Sequence, residues 1–319
     1  MTAPPTNTFE TYAAVGNRED LTDIIHNIDP FDTPGLNSFG DATAEAVLHS
    51  WQLDSLAAPN RSNVVEEGLD SVTTAPVATV RKSNTCQISK KTPRVSGTQQ
   101  AVNKAGRGDE LEYQVAKMAK ELKRDIETMI FDNNAEVTGS SGTPREHGGI
   151  PAWLTSNQSG GVNATASTGS GDNARTAGTT RAFTEDMLKE MLRTTWNNGG
   201  DPDKIHVGGT QKQAMSTFGG NATRMVGAED RELIAAIDVY RSDFGDLQIV
   251  PNRFSDGSVT SNGTAFILQS DMWKLAYLRP YQITDLAKTG DSERKDILVE
   301  YTLESCNEKA SAAIYDLAQ

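Results

Sequence analysis

Between Gly106 and Asn134 the sequence reads GRGDELEYQVAKMAKELKRDIETMIFDNN, and its apolar residues keep one register. Leu111, Val115, Met118, Leu122, Ile126 and Met129 recur at steps of three or four, the signature of a helix with a single buried stripe. Asp109, Glu110 and Glu112 fall in its first turn, where carboxylates complement the helix dipole. Residues 107–135 therefore predict one rod, about 40 Å long at 1.5 Å per residue. A lone stripe must be covered. A partner helix is one way to cover it; the chain's own strands are the expected one, because no second stripe of this length exists.

The residues before the rod carry strand signals. AVLHSWQLDSL places Val47, His49, Trp51 and Leu53 on one face, and VATVRKSNTCQISKK is rich in β-branched and hydroxyl residues. Glu66, Glu67 and Asp70 make the first part acidic. The second part, residues 81–107, carries Arg81, Lys82, Lys90, Lys91, Arg94, Lys104 and Arg107 without one Asp or Glu. An acidic limb followed by a basic limb predicts a long β-hairpin with opposite charge on its halves.

Elsewhere residues 1–46 read as an arm with a short helix, capped by Asn17, with Leu21, Ile24, Ile25 and Ile28 on one face, broken at Pro30 and Pro34. Residues 138–181 are Gly-, Ser- and Thr-rich, a long loop anchored by an apolar island at Ile150, Trp153 and Leu154. A helix capped by Thr184 turns Met187, Leu188, Met191 and Leu192 inward and stops at Gly199. DKIHVGG predicts a short buried strand, TQKQAMSTF a short helix, and the segments from residue 231 to 287 further strands. KDILVEYTLESCNEKASAAIYDLA alternates as one long extended run. No regular βαβ repeat appears, so the class is α+β.

The motifs of catalysis are missing. There is no GxSxG, no GxxxxGK[ST], no HExxH and no GxGxxG between a strand and a helix. REHGG at 145–149 reads as a polar loop tip, and LAKTGDSERKD as a charged turn that lacks the GK[ST] ending of a phosphate loop. Carboxylate pairs such as Glu66/Glu67 and Glu229/Asp230 read as solvated surface. Cys86 and Cys306 stand alone without metal spacing, as reduced structural thiols. No apolar run approaches the ~20 residues that span a bilayer, and MTAPPTNTFE carries no secretory signal. A soluble, intracellular, non-catalytic protein without cofactors is expected.

The basic stretch asks for a partner. The net charge of −13 repels phosphate backbones overall, and residues 81–107 hold no Phe, Trp or Tyr to stack on bases. A mean hydropathy of −0.50 is low for a compact globule and fits much surface given to partners. One half of a contact with an acidic surface on another copy is the reading that remains. The expected contact residues are Arg81, Lys82, Lys90, Lys91 and Arg94, set against Glu66, Glu67 and the helix face from Asp109, Glu110 and Glu112 to Glu121.

The order of parts — arm, long two-stranded loop, long helix, mixed sheet domain, returning strand — resembles the major capsid protein of tailed bacteriophages, with its HK97-like fold. TYAAVGNREDLTDIIHNIDPFDTP, HSWQLDSLAAPN, GGIPAWL, VYRSDFGDLQIVPNRF, LAKTGDSERKDILVEYTLE and NEKASAAIYDL are similar to segments of a subgroup of such head proteins. The resemblance implies an N-terminal arm at 1–46, an E-loop at 47–106, a P-domain at 107–204 holding the spine helix, an A-domain at 205–284 and a returning P-domain strand at 285–319. It also implies hexamers and pentamers in an icosahedral shell around double-stranded DNA, held without sequence-specific contacts. That shell is a virion capsid assembled in the host cytoplasm, with scaffolding, portal and decoration functions left to other proteins. An encapsulin-like nanocompartment shell is the alternative, and a soluble enzyme with a Gly-rich lid a remote one. Some members of the family cross-link an E-loop Lys to an Asn near the final strand. Lys82, Lys90 and Lys91 are the available amines here, but GDSERKDILVEY offers no Asn. Assembled particles should therefore run as single chains on reducing denaturing gels, and ladders of covalent multimers would refute this.

Overall fold

The computed structural model describes residues 32–70, 75–104, 108–218, 238–254 and 263–318. The expected arm helix around Asn17 and Ile25, and Arg107 and Glu229/Asp230, lie outside them. The described strands are β1 (Gly40–Thr43), β2 (Leu48–Leu53), β3 (Val80–Thr85), β4 (Gln87–Lys91), β5 (Arg94–Ser96), β6 (Gln158–Ser159), β7 (Lys204–Val207), β8 (Val239–Ser242), β9 (Gly245–Pro251), β10 (Gly263–Leu268), β11 (Trp273–Asp285), β12 (Ser292–Ser305) and β13 (Ala312–Leu317). The helices are α1 (Gly97–Ala101), α2 (Glu110–Phe131), α3 (Ile150–Trp153), α4 (Glu185–Asn197) and α5 (Gly209–Ser216).

These elements form an α+β molecule with two sheets and a separate hairpin. The first sheet runs β1-β11-β12-β4, with β5 continuing the β4 side of β12; the second runs β6-β13-β10-β7-β9-β8; β2 pairs with β3. The rod is α2, 22 residues or about 33 Å long. Asp109 caps it, accepting the Glu112 amide at 3.0 Å. Its stripe covers strands, as a lone stripe requires: Leu111, Leu122 and Ile126 are buried, and Val115 and Met118 pack half-buried on the core with Ile297, Val299, Tyr301 and Leu303 of β12. Met129 departs from expectation. Ile130 takes its rung, because steps of four from Leu122 carry the buried face onto Ile130 and leave Met129 at the rim.

The second sheet covers its core with α4 and α5. Leu188, Met191 and Leu192 meet Ile205, Val207, Ile249 and Ile267, and Gly199 stops α4 in the left-handed region, φ +87°. Thr184 holds the cap position without a side-chain hydrogen bond.

Two further readings change. The final extended run is two strands in two sheets: Asn307 accepts the Lys309 amide at 3.1 Å, and the turn at Glu308–Ala310 sends the chain from β12 across to β13. REHGG is no loop tip. His147 is fully buried with its ring 5.3 Å from that of Tyr301, because Gly148 and Gly149 let the backbone lie against neighbours; a Cβ on Gly149 would sit 2.3 Å from the Asp132 carbonyl oxygen. The Gly-rich loop is pinned at several points. Ile150, Trp153 and Leu154 are buried as the island, and Arg175 forms a buried ion pair with Asp316 of β13 at 2.6 Å while lying 4.1 Å from the Tyr315 ring centre.

One carboxylate joins the pieces. Glu127 of α2, fully buried, accepts the Gly35 amide at 2.7 Å, the Leu36 amide at 2.8 Å and Asn252 Nδ2 at 2.7 Å. It ties the turn before β1 and the end of β9 to the rod, and burial raises its carboxyl above the ordinary range.

Burial pushes the imidazoles of His147 and His206 down to about 4. His206 sits in the second sheet with its ring 5.4 Å from Phe131 and 6.4 Å from Phe39, and neither ring nitrogen has a hydrogen-bond partner. An unfolded histidine titrates near 6.5, so the stability these residues contribute is complete above about pH 6.5 and is lost as pH falls toward 4. At about 1.4 kcal/mol per pH unit the loss reaches roughly 3 kcal/mol for each. Glu127, raised by burial, has the opposite sign over its own window but is one group against two. Thermal denaturation should show a midpoint that is flat above pH 7 and falls steeply between 6.5 and 4, with a shallower fall in His206→Phe. An equal slope in that variant would refute the assignment.

Candidate functional site

The structure concentrates unpartnered surface on one feature, the β2–β3 hairpin and its loop. The pairing is antiparallel from Leu48↔Thr85 to Leu53↔Val80. Its root is fastened by groups that alternation along β2 and β3 turns toward the body. Asn84 is fully buried, donates to the Leu303 carbonyl at 2.7 Å and accepts the Gly148 amide at 2.9 Å. Trp51 donates its indole N–H to the Ser305 carbonyl at 2.8 Å, and its ring lies 5.3 Å from that of Trp153, tilted by 44°. His49 Nε2 lies 3.1 Å from Glu304, and Thr85, on the opposite face of β3, hydrogen-bonds Glu136. Lys82 donates to the Gly169 carbonyl and to Ser170 Oγ at 2.9 and 2.8 Å.

The far end has no such support. Leu56, Val64 and Val65 are 100%, 83% and 73% exposed, and Leu69 and Val77 are exposed beside them. These aliphatic side chains gain no burial in the described fold, so their apolar surface remains available to a partner. Glu66 and Glu67 belong to this loop, not to a strand facing the basic limb, and with Asp70 they form no ion pair among the described residues. The hairpin's acidic half is thus a loop, and its basic half reaches only to Thr85. β4 and β5 leave the hairpin and pair with β12.

The cations divide accordingly. Lys91 reaches down to α2, 3.3 Å from Glu121 and 2.9 Å from Asp125. That acidic helix face therefore already has a partner inside the chain. Lys90 is 3.9 Å from Asp296. Arg94 donates to Ser292 Oγ and Arg81 to Ser50 Oγ; both are exposed and form no ion pair among the described residues. At the start of α2, Asp109 is occupied as the cap, Glu110 is buried and accepts from Gln114 at 2.9 Å, and Glu112 remains exposed. Charge alone did not reveal the apolar loop residues; the signal was there in valines and leucines spaced through a segment too polar to form a strand.

No group of three His, Cys, Asp or Glu able to hold a metal occurs among the described residues, and no helix there is long and apolar enough to cross a membrane. Cys86 and Cys306 are free thiols. Burial, with the Glu300 charge adding, pushes the Cys86 thiol up to about 11, so it stays protonated and unreactive near neutrality.

This arrangement has relatives. The family model for the SU10 major capsid protein matches residues 4–318. A major capsid protein of Escherichia phage Phieco32 is 26% identical, with 97% of each chain covered. Among solved structures, the capsid asymmetric unit of Cyanophage A-1(L) superposes with a TM-score of 0.67 at 12% identity, over 97% of this chain and 99% of that one. The holo-SrpI encapsulin complex of Synechococcus elongatus gives 0.56 at 11% identity, over 95% and 92%. The fold is HK97-like, as the order of parts implied. Its projecting hairpin, long helix and paired sheets are those of a shell subunit, and the chain belongs to the SU10 major capsid protein family.

Proposed function

We propose that this capsid subunit closes its shell through the β2–β3 hairpin, which works as an E-loop laid on the neighbouring copy within hexamers and pentamers. The observation that carries this is the set of bare aliphatic side chains at Leu56, Val64, Val65 and Val77, which find no cover among the described residues of their own chain. Apolar surface buried between copies contributes about 25 cal/mol per Å2. Arg81 and Arg94, exposed and without ion pairs among the described residues, supply charge that sets register with an acidic neighbour. Lys91 is withdrawn from that role by its pairs with Glu121 and Asp125.

In this reading the shell encloses double-stranded DNA without sequence-specific contacts, as suits a wall of net charge −13. Assembly takes place in the host bacterial cytoplasm, and scaffolding, portal and decoration proteins are separate partners. The subunit is non-catalytic. The Gly-rich loop makes a poor active-site lid, since Trp153, Arg175 and Gly148 hold it against the sheets. A nanocompartment shell is the second reading, favoured only by the encapsulin likeness.

Electron microscopy of the purified protein should show closed icosahedral particles with hexameric and pentameric clusters. A discrete small oligomer would overturn the reading, and shells loaded with an enzyme would favour the second one. Arg81→Glu with Arg94→Glu should lower particle yield several-fold without shifting the thermal midpoint of the subunit. Normal yield would remove these arginines from the interface.

A further inference from the structure

The far face of the first sheet has an uncovered site. Alternation along β4 places Ile88 and Lys90 on the same face, turned away from α2. Ile88 is 44% exposed although its strand is paired to β12. It forms the floor of an open groove of about 390 Å3, walled by Thr138, Gly139, Pro144 and Arg145 of the small turn that bridges Val137 to Glu146.

Basic side chains stand beside the groove. In the β11–β12–β4 register, Arg279, Glu300 and Ile88 lie side by side. The buried Glu300 carboxylate accepts Arg145 Nη2 at 2.7 Å and Arg279 Nε at 2.7 Å. Two guanidiniums share one carboxylate, leaving a surplus positive charge at the groove's edge. Lys90, further along the same strand face, keeps 60% of its side chain exposed beside its loose ion pair with Asp296 at 3.9 Å.

The hairpin loop carries the complement. In VVEEGLD the Leu69 amide donates to the Glu66 carbonyl at 3.2 Å, and Gly68 adopts φ +83°, so residues 66–69 form a turn. Around it stand the bare Val64, Val65 and Leu69 and the carboxylates of Glu66, Glu67 and Asp70. This knob and the Ile88 groove do not cover each other within one chain, since both stay exposed. Resting on the shell-subunit reading above, we infer that the Val64–Asp70 turn of one copy seats in the Ile88 groove of the next. The aliphatic side chains meet Ile88 and the carboxylates meet Lys90 and the Arg145–Arg279 pair.

A cysteine pair tests the contact directly. Val65→Cys with Ile88→Cys, oxidised in assembled particles, should give covalent dimers and higher multimers on non-reducing gels, because a disulfide forms only when Cα atoms approach within about 7 Å. Either single variant should give none, which also controls for Cys86 and Cys306. Particles without cross-links overturn the inference and leave the shell reading intact; absence of particles from the unaltered protein overturns both. Should the cysteine pair block assembly, charge reversal decides. Glu66→Lys with Glu67→Lys should cut particle yield several-fold, and adding Lys90→Glu should restore it. Failure to restore removes Lys90 and the groove from the contact.

Discussion

The molecule is organised around one strand paired on both sides. β12 meets β11 along its length and β4 and β5 opposite, so its backbone is satisfied and each successive side chain must serve a different face. Ile297, Val299, Tyr301 and Leu303 go to the rod. Glu300 and Glu304, on the other face, hold Arg145, Arg279 and His49. A shift of one residue would exchange these sets, putting carboxylates into the core and aliphatics under the hairpin root. The position of the hairpin is therefore a consequence of strand register.

Glu127 performs the corresponding task between the layers. A buried carboxylate costs free energy unless donors surround it, and here three N–H groups come from segments far apart in the chain. With no cation among those donors, the site relies on geometry instead of charge pairing. Gly35 is required beside it, since a Cβ there would lie 2.4 Å from the Phe131 ring. The turn before β1, the rod and the end of β9 are consequently held as one joint.

Much of this was legible in residue order. The rod's stripe, the α4 face, the buried KIHV strand and the Trp153 island all rest on local periodicity, and periodicity survives folding wherever one face meets one core. What escaped was decided at long range. The break of the last run into β12 and β13 depends on which sheet each half joins, and both halves alternate equally well. His147 and Glu127 look like surface residues by composition; they are buried because glycines and amides distant in sequence close around them. Lys91 looked available to a neighbour until register placed it over Glu121 and Asp125. The bare aliphatic loop was read through its charges, which drew attention away from its valines.

The fastened root and unsupported end of the hairpin make it a lever. Its strand of six residues spans about 20 Å. Asn84, Lys82 and Trp51 hold its inner four residue pairs, so a tilt is borne by Gln52, Leu53 and the loop beyond them. In the proposed shell, a small change there would alter where the loop meets a neighbouring copy. A shell built from one polypeptide would then vary at its loops while every subunit keeps the same core.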